Sequence, residues 1–228
     1  MKFLLFWDID GTLTNSGGAS RRALRAALLN HFGINGLLDD IDFAGRTDRW
    51  IVRQIFAKFR VPDTDDNFIA YSQVYLALLP QEMKTPGAKV FPGAAELVDA
   101  AARRSDVAQG LLTGNLRRGA EVKLTHHGLW DYFPFGAFGD DSEQRNELGP
   151  HGLRRARERH GVEFPPERVW IIGDTPHDIA CARAIGARCL AVATGRHTPA
   201  ELAAHHPSAV LSDLVDGRAF WKIIESHA

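Results

Sequence analysis

Two aspartates, Asp8 and Asp10, stand one residue apart directly after the first apolar stretch of the chain. That stretch, Phe3–Trp7, reads FLLFW and is typical of a buried strand, and Gly11 and Thr12 follow the aspartates. A buried carboxylate without a partner is costly, so such groups normally become neutral or bind a cation. The order of residues therefore predicts that the strand ends at a site of chemistry.

Two more polar clusters follow apolar stretches further along the chain. Thr113, Gly114 and Asn115 come after VAQGLL, and Asp174 and Asp178 come after VWII and a glycine. Carboxylates that converge on one crevice repel one another unless a hard, oxygen-seeking cation lies among them. Together with the first pair, these carboxylates predict a Mg²⁺ site.

The same residue types suit phosphoryl transfer. An aspartate can attack phosphorus and form an acyl phosphate, which divides one difficult displacement into two easier ones. A second carboxylate two residues on can protonate the leaving oxygen and later activate water, which contributes about a hundred- to ten-thousand-fold in rate. Candidate donors to the phosphoryl oxygens are the N–H groups of Gly11 and Thr12, the hydroxyl of Thr113 and the amide of Asn115.

Short apolar stretches that alternate with helical patterns predict the fold. The expected strands are 3–7, 107–112, 169–172, 189–193 and 209–211. The expected helices in this part are 94–104, 117–127, 150–160 and 177–185, each ending at a glycine or a basic residue. We predict an α/β fold with a doubly wound, mostly parallel sheet, in which reactive groups gather at the carboxyl ends of the strands.

The segment 16–88 has a different texture and contains no convincing strand. Its helical patterns cover 20–32 with Ser20 as the N-cap, 48–59 behind Thr47, and 65–79. We expect an all-helical module inserted after the first strand. The aromatic side chains of its third helix are expected to form the core of that module.

The three polar motifs together resemble a known family. DIDGTLT, LLTGN and GDTPHD, in this order, look like the motifs of the haloacid dehalogenase superfamily, in the branch of phosphoglycolate-phosphatase-like hydrolases. The resemblance implies that Asp8 is the nucleophile and a metal ligand, and that Asp10 is the general acid/base with its carbonyl on the metal. It also implies that Thr113 binds phosphate, that Asp174 is a metal ligand, and that Asp178 is a ligand or supports one.

The resemblance also divides the chain into two parts. The family's helical cap, inserted after the first motif, matches 16–88, and its Rossmann-like core matches 1–15 and 89–228. Ser16-Gly17-Gly18 and Pro86-Gly87-Ala88 become candidate hinges, through which closure of the cap would exclude water from the acyl phosphate.

The family places a cation, usually a lysine, between the second and fourth motifs. Between Lys123 and Lys222 the chain has no lysine, and Arg145 is the best-placed candidate. Arginine can neutralise the nucleophile and grip phosphate with two N–H groups, although it is no isostere of lysine. The alternative is that Arg145 pairs with Asp140 and Asp141 at the surface.

The stretch FAGRTD, 43–48, resembles the substrate-specificity loop of capped phosphatases. In that case Arg46 faces a second anionic or polar group of the substrate, and Thr47 caps the next helix. The alternative is an ordinary turn and helix cap with a solvated arginine.

The composition argues against several classes of partner. The chain of 228 residues has 27 basic and 28 acidic residues, so no global field gathers nucleic acid or an anionic membrane. The first apolar stretch is too short for a signal peptide, and Cys181 and Cys189 are too few for a disulfide framework and are expected to be buried thiols. We expect a cytoplasmic monomer or homodimer that acts on a small-molecule phosphate ester and binds neither nucleic acid nor membrane.

These inferences predict a Mg²⁺-dependent phosphatase that hydrolyses a small phosphorylated metabolite through an aspartyl phosphate, with phosphoglycolate as the candidate substrate. The alternatives are a sugar phosphomutase of the same fold and a non-catalytic phosphoacceptor or binding protein. A phosphonate hydrolase would need a Schiff-base lysine, for which Lys58 and Lys84 are the candidates in 16–88. A dehalogenase is disfavoured because a halide leaving group needs no proton from Asp10.

Overall fold

A parallel sheet of six strands forms the centre of the molecule. The computed structural model describes residues 2–226, with the strands β1 (Phe3–Trp7), β2 (Thr14–Ser16), β3 (Ala88–Val90), β4 (Val107–Leu112), β5 (Gly136–Ala137), β6 (Val169–Gly173), β7 (Arg188–Val192) and β8 (Ala209–Leu211). The order in the sheet is β5-β4-β1-β6-β7-β8, and each neighbouring pair is parallel. The carboxyl ends of all six strands therefore lie at one edge.

Helices cover both faces of this sheet, and others form a separate module. They are α1 (Ala19–Phe32), α2 (Asp48–Phe59), α3 (Asp65–Met83), α4 (Ala94–Ala102), α5 (Arg117–His126), α6 (Leu148–His160), α7 (Pro176–Ala184), α8 (Pro199–Ala203) and α9 (Gly217–Glu225). Alternate residues of β1 face opposite sides: Leu5 packs in a cluster with side chains of α4, α5 and α9, and Phe6 packs in another with side chains of α6 and α7. The predicted doubly wound α/β fold is confirmed.

Helices α1, α2 and α3 share a third hydrophobic cluster. Phe56, Tyr71 and Tyr75 are fully or almost fully buried in it, and the Tyr71 hydroxyl donates to the Leu24 carbonyl at 2.7 Å. The aromatic side chains of α3 thus form the core of the helical module, as predicted. The division of the chain into a core and a cap stays a prediction.

A two-stranded ribbon connects this helical module to the sheet. Strands β2 and β3 pair antiparallel, with Thr14 opposite Val90 and Ser16 opposite Ala88. The expectation that 16–88 contains no strand is therefore wrong at both ends of that segment. Strands of three residues are too short to produce a recognisable alternation in the sequence.

The ends of two helices in this module test the capping predictions. Helix α1 begins at Ala19 behind Gly18, which has a left-handed φ of 80° and makes no side-chain cap, so Ser20 lies inside the helix and is not its N-cap. Thr47 does cap α2, because its hydroxyl accepts the N–H of Trp50 at 3.2 Å. None of the helices within residues 2–226 combines the length and the apolar character that crossing a membrane would require.

Candidate active site

The loops that follow β1, β4, β6 and β7 meet around one cavity of about 750 Å³. Asp8, Asp10, Thr113, Arg145 and Asp174 all line it. Asp8 and Asp10 are two positions apart, whereas every other pair in this set is separated by at least 29 positions. The parallel sheet brings them together because β1 lies between β4 and β6. The fold therefore brings the three motifs together, as predicted.

Asp8 lies at the buried end of this cavity. Its Oδ1 is 3.2 Å from Nη2 of Arg145, and the side chain is almost completely shielded from solvent. Burial raises the pKa of Asp8 from 3.8 to about 6; Arg145 opposes this shift, whereas the carboxylates of Asp178 and Asp10 add to it. A carboxylate held next to a cation and away from bulk water suits nucleophilic attack.

Three buried carboxylates form a group that could hold a metal ion. Asp8, Asp174 and Asp178 each offer one oxygen within 4.8 Å of the others. Burial raises the pKa of Asp174 well above its usual value, and the neighbouring carboxylates of Asp178 and Asp8 raise it further. Concentrated, desolvated oxygen donors of this kind fit a hard divalent cation such as Mg²⁺.

Two glycines make room for the Asp174 carboxylate. A Cβ at Gly11 or at Gly195 would overlap the carboxylate oxygens of Asp174, and Gly11 also has a φ of 88°. The Thr12 hydroxyl donates to Asp174 Oδ1 at 3.2 Å, and the Thr194 hydroxyl donates to the Gly11 carbonyl at 2.5 Å. The loops after β1 and β7 thus enclose the side chain that follows β6.

Asp178 is engaged by the protein through both oxygens. Its Oδ2 accepts the N–H of Thr175 at 3.0 Å and the Thr175 hydroxyl at 2.7 Å, and its Oδ1 accepts from Nη2 of Arg145. Of the two roles expected for Asp178, these contacts favour support of the site over direct ligation. They also hold the Arg145 guanidinium in place.

Arg145 occupies the interior and not the surface. It lies just before α6, is 7% exposed, and bridges Asp8 and Asp178. The alternative pairing is wrong, because Asp141 pairs with Arg155 at 2.5 Å and Asp140 accepts the N–H of Arg117 at 2.5 Å. Although burial alone would lower the pKa of Arg145, the Asp178 and Asp8 carboxylates hold it above its usual value, so the guanidinium stays charged.

A second cation, Lys123 of α5, was missed by the sequence analysis. It is 2% exposed, and its Nζ donates to Asp10 Oδ2 and to Asn115 Oδ1, both at 2.6 Å. A lysine on the helix face that also carries Ala120 and Leu124 was the available signal, since that face is buried. Lys123 therefore holds Asp10, the predicted general acid/base, through its Oδ2 atom.

Asp10 keeps one oxygen available to the cavity. Its Oδ2 accepts from Nδ2 of Asn115 at 2.8 Å and from Lys123, whereas Oδ1 has no partner among residues 2–226. The side chain is 39% exposed, unlike the buried carboxylate of Asp8. One oxygen is thus fixed by the protein and the other can exchange a proton with a substrate or with water.

Thr113 and Gly114 present donors that the protein leaves unused. The Thr113 hydroxyl accepts from Nδ2 of Asn115 at 2.8 Å, and within the described part of the chain its own proton has no acceptor. The N–H of Gly114 likewise has no acceptor there. Both residues line the cavity, in agreement with a phosphate-binding role.

Three predicted phosphate donors are already occupied. The N–H of Gly11 donates to the Thr14 carbonyl at 2.9 Å and that of Thr12 to the Ile9 carbonyl at 3.3 Å, because the chain turns tightly after Asp10. The two amide hydrogens of Asn115 go to Asp10 and Thr113. In this arrangement Gly11 and Thr12 shape the loop and Asn115 positions its neighbours, and donation by these groups to phosphate stays a prediction.

The loop 43–48 lies directly against the loop after β4. The N–H of Asp48 donates to the Gly114 carbonyl at 2.7 Å, and a Cβ at Gly114 would overlap the Arg46 carbonyl oxygen. The Thr47 hydroxyl donates to the Glu143 carbonyl at 2.6 Å. Arg46 lines the cavity, with its guanidinium stacked 4.3 Å from the Trp50 ring and its buried Nε without a hydrogen-bond partner.

Asp48 is a second residue that the sequence analysis did not single out. Its Oδ2 accepts the N–H of Leu116 at 2.8 Å, directly before α5, so a side chain of α2 satisfies the start of a helix that packs on the sheet. Burial raises the pKa of Asp48 to about 6, and the nearby Lys123 opposes the shift. Asp48 thus joins the helical module to the wall of the cavity.

The two predicted hinge segments lie against each other. A Cβ at Gly17 would overlap the backbone of Gly87, and these glycines have φ values of 59° and 117°. Glycine is required where two backbones approach this closely in the left-handed region. Whether the segments act as hinges stays a prediction.

Comparisons with known proteins identify several similar chains. The phosphoglycolate phosphatase of Rhodospirillum rubrum is 29% identical over 84% of this chain and 79% of its own length. Phosphoglycolate phosphatase 1 of Pseudomonas aeruginosa is 26% identical over 93% of this chain and 77% of its own. The crystal structure of CbbY from Rhodobacter sphaeroides in complex with phosphate superposes with a TM-score of 0.75 at 18% identity, over 95% of this chain and 96% of that one.

A family model brings the motifs and the fold together. The model of the haloacid dehalogenase-like hydrolases matches residues 5–183, which include Asp8, Thr113, Arg145 and Asp178. That range holds all three motifs and the helical module between the first two. The chain therefore belongs to the haloacid dehalogenase-like hydrolases.

Proposed function

We propose that this protein is a Mg²⁺-dependent phosphatase that hydrolyses a small phosphorylated metabolite through an aspartyl phosphate, with phosphoglycolate as the first candidate. The observation that carries the proposal is the pair of aspartates after β1. Asp8 is buried against Arg145, whereas Asp10 is fixed through one oxygen and free at the other. One carboxylate is thus placed as a nucleophile and the other as a proton donor and acceptor.

In the first half of the reaction an Asp8 oxygen attacks phosphorus. The bond between phosphorus and the leaving oxygen breaks, and Asp10 gives its proton to that oxygen. Arg145 offsets the charge that gathers on the nucleophile, and the Thr113 hydroxyl and the Gly114 N–H donate to the phosphoryl oxygens. The product of this half is an acyl phosphate on Asp8, a mixed anhydride of its carboxyl group and phosphate.

In the second half of the reaction, water hydrolyses the aspartyl phosphate. Asp10 now takes a proton from water, the water oxygen attacks phosphorus, and the bond to the Asp8 oxygen breaks. Inorganic phosphate leaves, and the proton that Asp10 lost in the first half is restored. Lys123 and Asn115 hold the same Asp10 oxygen throughout, which keeps the other oxygen directed at the reacting group.

Mg²⁺ suits this donor set because carboxylate oxygens are the ligands it prefers. The residues that would hold it are Asp8, Asp174 and the carbonyl of Asp10, with Asp178 as support. When bound, the ion supplies positive charge for the phosphoryl oxygens and relieves the repulsion between the buried carboxylates.

Phosphoglycolate is the first candidate for two reasons. The curated relatives from Rhodospirillum rubrum and Pseudomonas aeruginosa carry that substrate in their names. The cavity of about 750 Å³ is also of a size that encloses a small metabolite, and it presents Arg46 toward a second polar group. A phosphonate hydrolase is not supported, because neither Lys58 nor Lys84 lines the cavity and Lys58 pairs with Asp40 instead.

The experiment that tests the proposal is phosphate release from a panel of substrates. Phosphoglycolate, hexose phosphates, nucleoside monophosphates and pyrophosphate are each incubated with the protein in Mg²⁺ or in a chelator. We expect Mg²⁺-dependent turnover of a small phosphate ester, loss of turnover in Asp8→Asn, and normal turnover in Arg103→Ala, which removes an exposed ion pair on α4.

Two results would speak against the proposal. A phosphomutase would convert a sugar phosphate into its isomer with little release of phosphate. A phosphoacceptor or binding protein would release no phosphate from any member of the panel, or would take up one phosphoryl group and keep it.

A further inference from the structure

An arginine that is absent from the three motifs reaches the same cavity. Arg196 follows β7, and its neighbour Gly195 lies so close to Asp174 that a Cβ would overlap the carboxylate. Arg196 lines the cavity together with Arg46, which comes from the loop before α2. Two arginines from distant parts of the chain thus reach a space next to the candidate reaction centre.

Both arginines converge on one carboxylate of the protein itself. Nη1 of Arg196 lies 2.8 Å from Oδ1 of Asp42, and Nη2 lies 3.3 Å from Oδ2. Nε of Arg46 is 3.9 Å from that same Oδ2. A guanidinium that meets two carboxylate oxygens with two parallel N–H groups is the arrangement by which arginine binds any carboxylate.

The ion pair between Arg196 and Asp42 can be exchanged for an ion pair with another carboxylate. The side chains of Arg196 and Asp42 are 55% and 35% exposed, and an ion pair that is open to water contributes little to stability. Arg46, in contrast, has a buried Nε without a hydrogen-bond partner among residues 2–226, so one donor next to Asp42 is still unused there. A second carboxylate of similar size could take the place of Asp42 at little cost.

We infer that Arg196, with Arg46, binds a carboxylate of the substrate, and that Asp42 occupies this place until the substrate enters. Arg196 is then a specificity-determining residue and Asp42 an internal competitor. The inference rests on the proposed function, since it concerns a phosphate ester that carries a carboxylate at its other end. It predicts opposite effects for the two partners of a single ion pair, which a simple fastening between two segments would not produce.

The test is a binding measurement with two ligands that differ only at one end. Phosphoglycolate carries a carboxylate where 2-hydroxyethyl phosphate carries a neutral hydroxymethyl group. Both are titrated by calorimetry, in Mg²⁺, into proteins that all carry Asp8→Asn, so that no ligand is hydrolysed. The ratio of the two dissociation constants isolates the contribution of the carboxylate.

We expect Arg196→Ala to weaken phosphoglycolate about tenfold or more relative to 2-hydroxyethyl phosphate, because it removes charged hydrogen bonds. Arg196→Lys should recover part of that selectivity, since it keeps the charge and loses the fork. Asp42→Asn should tighten phosphoglycolate by about two- to fivefold, because it removes the competitor. Arg103→Ala controls for the loss of an exposed ion pair elsewhere.

The inference is overturned if Arg196→Ala and Asp42→Asn change the dissociation constants of both ligands equally. The ion pair would then only hold two segments of the chain together. It is also overturned if Asp42→Asn weakens phosphoglycolate. Because binding is measured without turnover, a failure of the phosphatase assay would bear on the proposed function and leave this result readable.

Discussion

Arg145 joins the two buried carboxylates on which the proposed chemistry depends. It contacts Asp8 at 3.2 Å and also Asp178, in the role for which the family resemblance led us to expect a lysine. The planar guanidinium can touch both carboxylates at once, which the point charge of a lysine does less well. Arg145 thus supplies the positive charge expected of a lysine, but in a planar group with several donors.

Replacing Arg145 should therefore affect catalysis and stability together. We expect Arg145→Ala to lower kcat about a hundred- to a thousandfold, because a fixed charge at the reacting group is lost. It should also destabilise the fold by about 3 kcal/mol, because two buried carboxylates lose their partner. Arg145→Lys should recover part of both losses, as measured by turnover and by urea unfolding.

Arg155→Ala is the matched control, because it removes an arginine that pairs with Asp141 next to the edge strand β5 and does not line the cavity. It should lower the free energy of unfolding and leave kcat close to that of the wild type. A kcat for Arg145→Ala within a few-fold of the wild type would contradict the role given to Arg145.

Asp48 should make the stability of the protein depend on pH. Its pKa is raised by burial from 3.8 to about 6, so the folded state prefers the neutral form. The stability that it contributes is present at low pH and is lost as pH rises through about 6. Between pH 4.5 and 7.5 this loss amounts to about 2 kcal/mol for a shift of this size.

The variant Asp48→Asn tests this directly, because asparagine still offers an oxygen to the Leu116 N–H. Urea unfolding at several pH values should show the variant gaining about 2 kcal/mol relative to the wild type between pH 4.5 and 7.5. A difference that is constant across this range would mean that Asp48 does not titrate there.

Asp8 and Asp174 could be found from the sequence because each one follows directly after a strand, and Asp10 and Asp178 because they lie in the same two motifs. The roles of their neighbours could not, because they depend on which hydrogen bonds are already made. Asn115 resembles a phosphate donor in the sequence, yet its amide hydrogens are used by Asp10 and Thr113. Lys123 reaches the site from the buried face of α5, and its place on that face was a signal that the sequence analysis did not use.

At the scale of elements, the loop before α2 and the loop after β4 form one wall of the cavity. Their backbones are in contact because Gly114 has no side chain to separate them. We expect Gly114→Ala to push the two loops apart and to lower kcat/KM tenfold or more, because misplacement by about 1 Å can cost a hundredfold. The measurement is steady-state turnover of the preferred substrate.

Gly119→Ala provides the comparison within the same region. A Cβ at Gly119 would make only ordinary contacts, the nearest at 3.5 Å to Leu76, and the residue lies in α5. It should stabilise the fold by about 0.5 to 1 kcal/mol and keep its activity, since alanine favours helix over glycine. Equal losses in both variants would show that the contact between the loops has no special importance.

The longer elements were predictable because their apolar patterns are strong. Strands β1, β4 and β8 have the predicted limits, and the parallel arrangement follows from the alternation of strands and helices. Strand β5 has only two residues, Gly136 and Ala137, and carries no pattern of its own. It joins the sheet because it pairs with β4, which is a property of the tertiary structure.

At the scale of the whole molecule, the buried carboxylates are an electrostatic cost to the folded protein in the absence of a cation. Burial raises the pKa of Asp174 well above its usual value, so its charged form is unfavourable in the folded protein. Asp174→Asn should therefore be at least as stable as the wild type in a chelator. Thermal unfolding monitored by circular dichroism measures this.

Mg²⁺ should reverse that order. At about a hundred times its dissociation constant, Mg²⁺ should stabilise the wild type by about 2.7 kcal/mol, and Asp174→Asn by clearly less. Asp131→Asn, which removes an exposed carboxylate, should respond to Mg²⁺ as the wild type does. An equal response of Asp174→Asn and the wild type would place the metal elsewhere.

If Asp8 takes the phosphoryl group and Asp10 allows water to remove it, the phosphorylated protein should accumulate when Asp10 is replaced. Asp10→Asn is mixed with p-nitrophenyl phosphate and Mg²⁺, because that leaving group needs no proton, and the acid-quenched protein is digested and analysed by mass spectrometry. In the Asp10→Asn variant we predict one phosphoryl group on the peptide that contains Asp8. In the double variant that also carries Asp8→Asn we predict none. A phosphoryl group on another residue, or undiminished phosphate release by Asp8→Asn, would contradict the account.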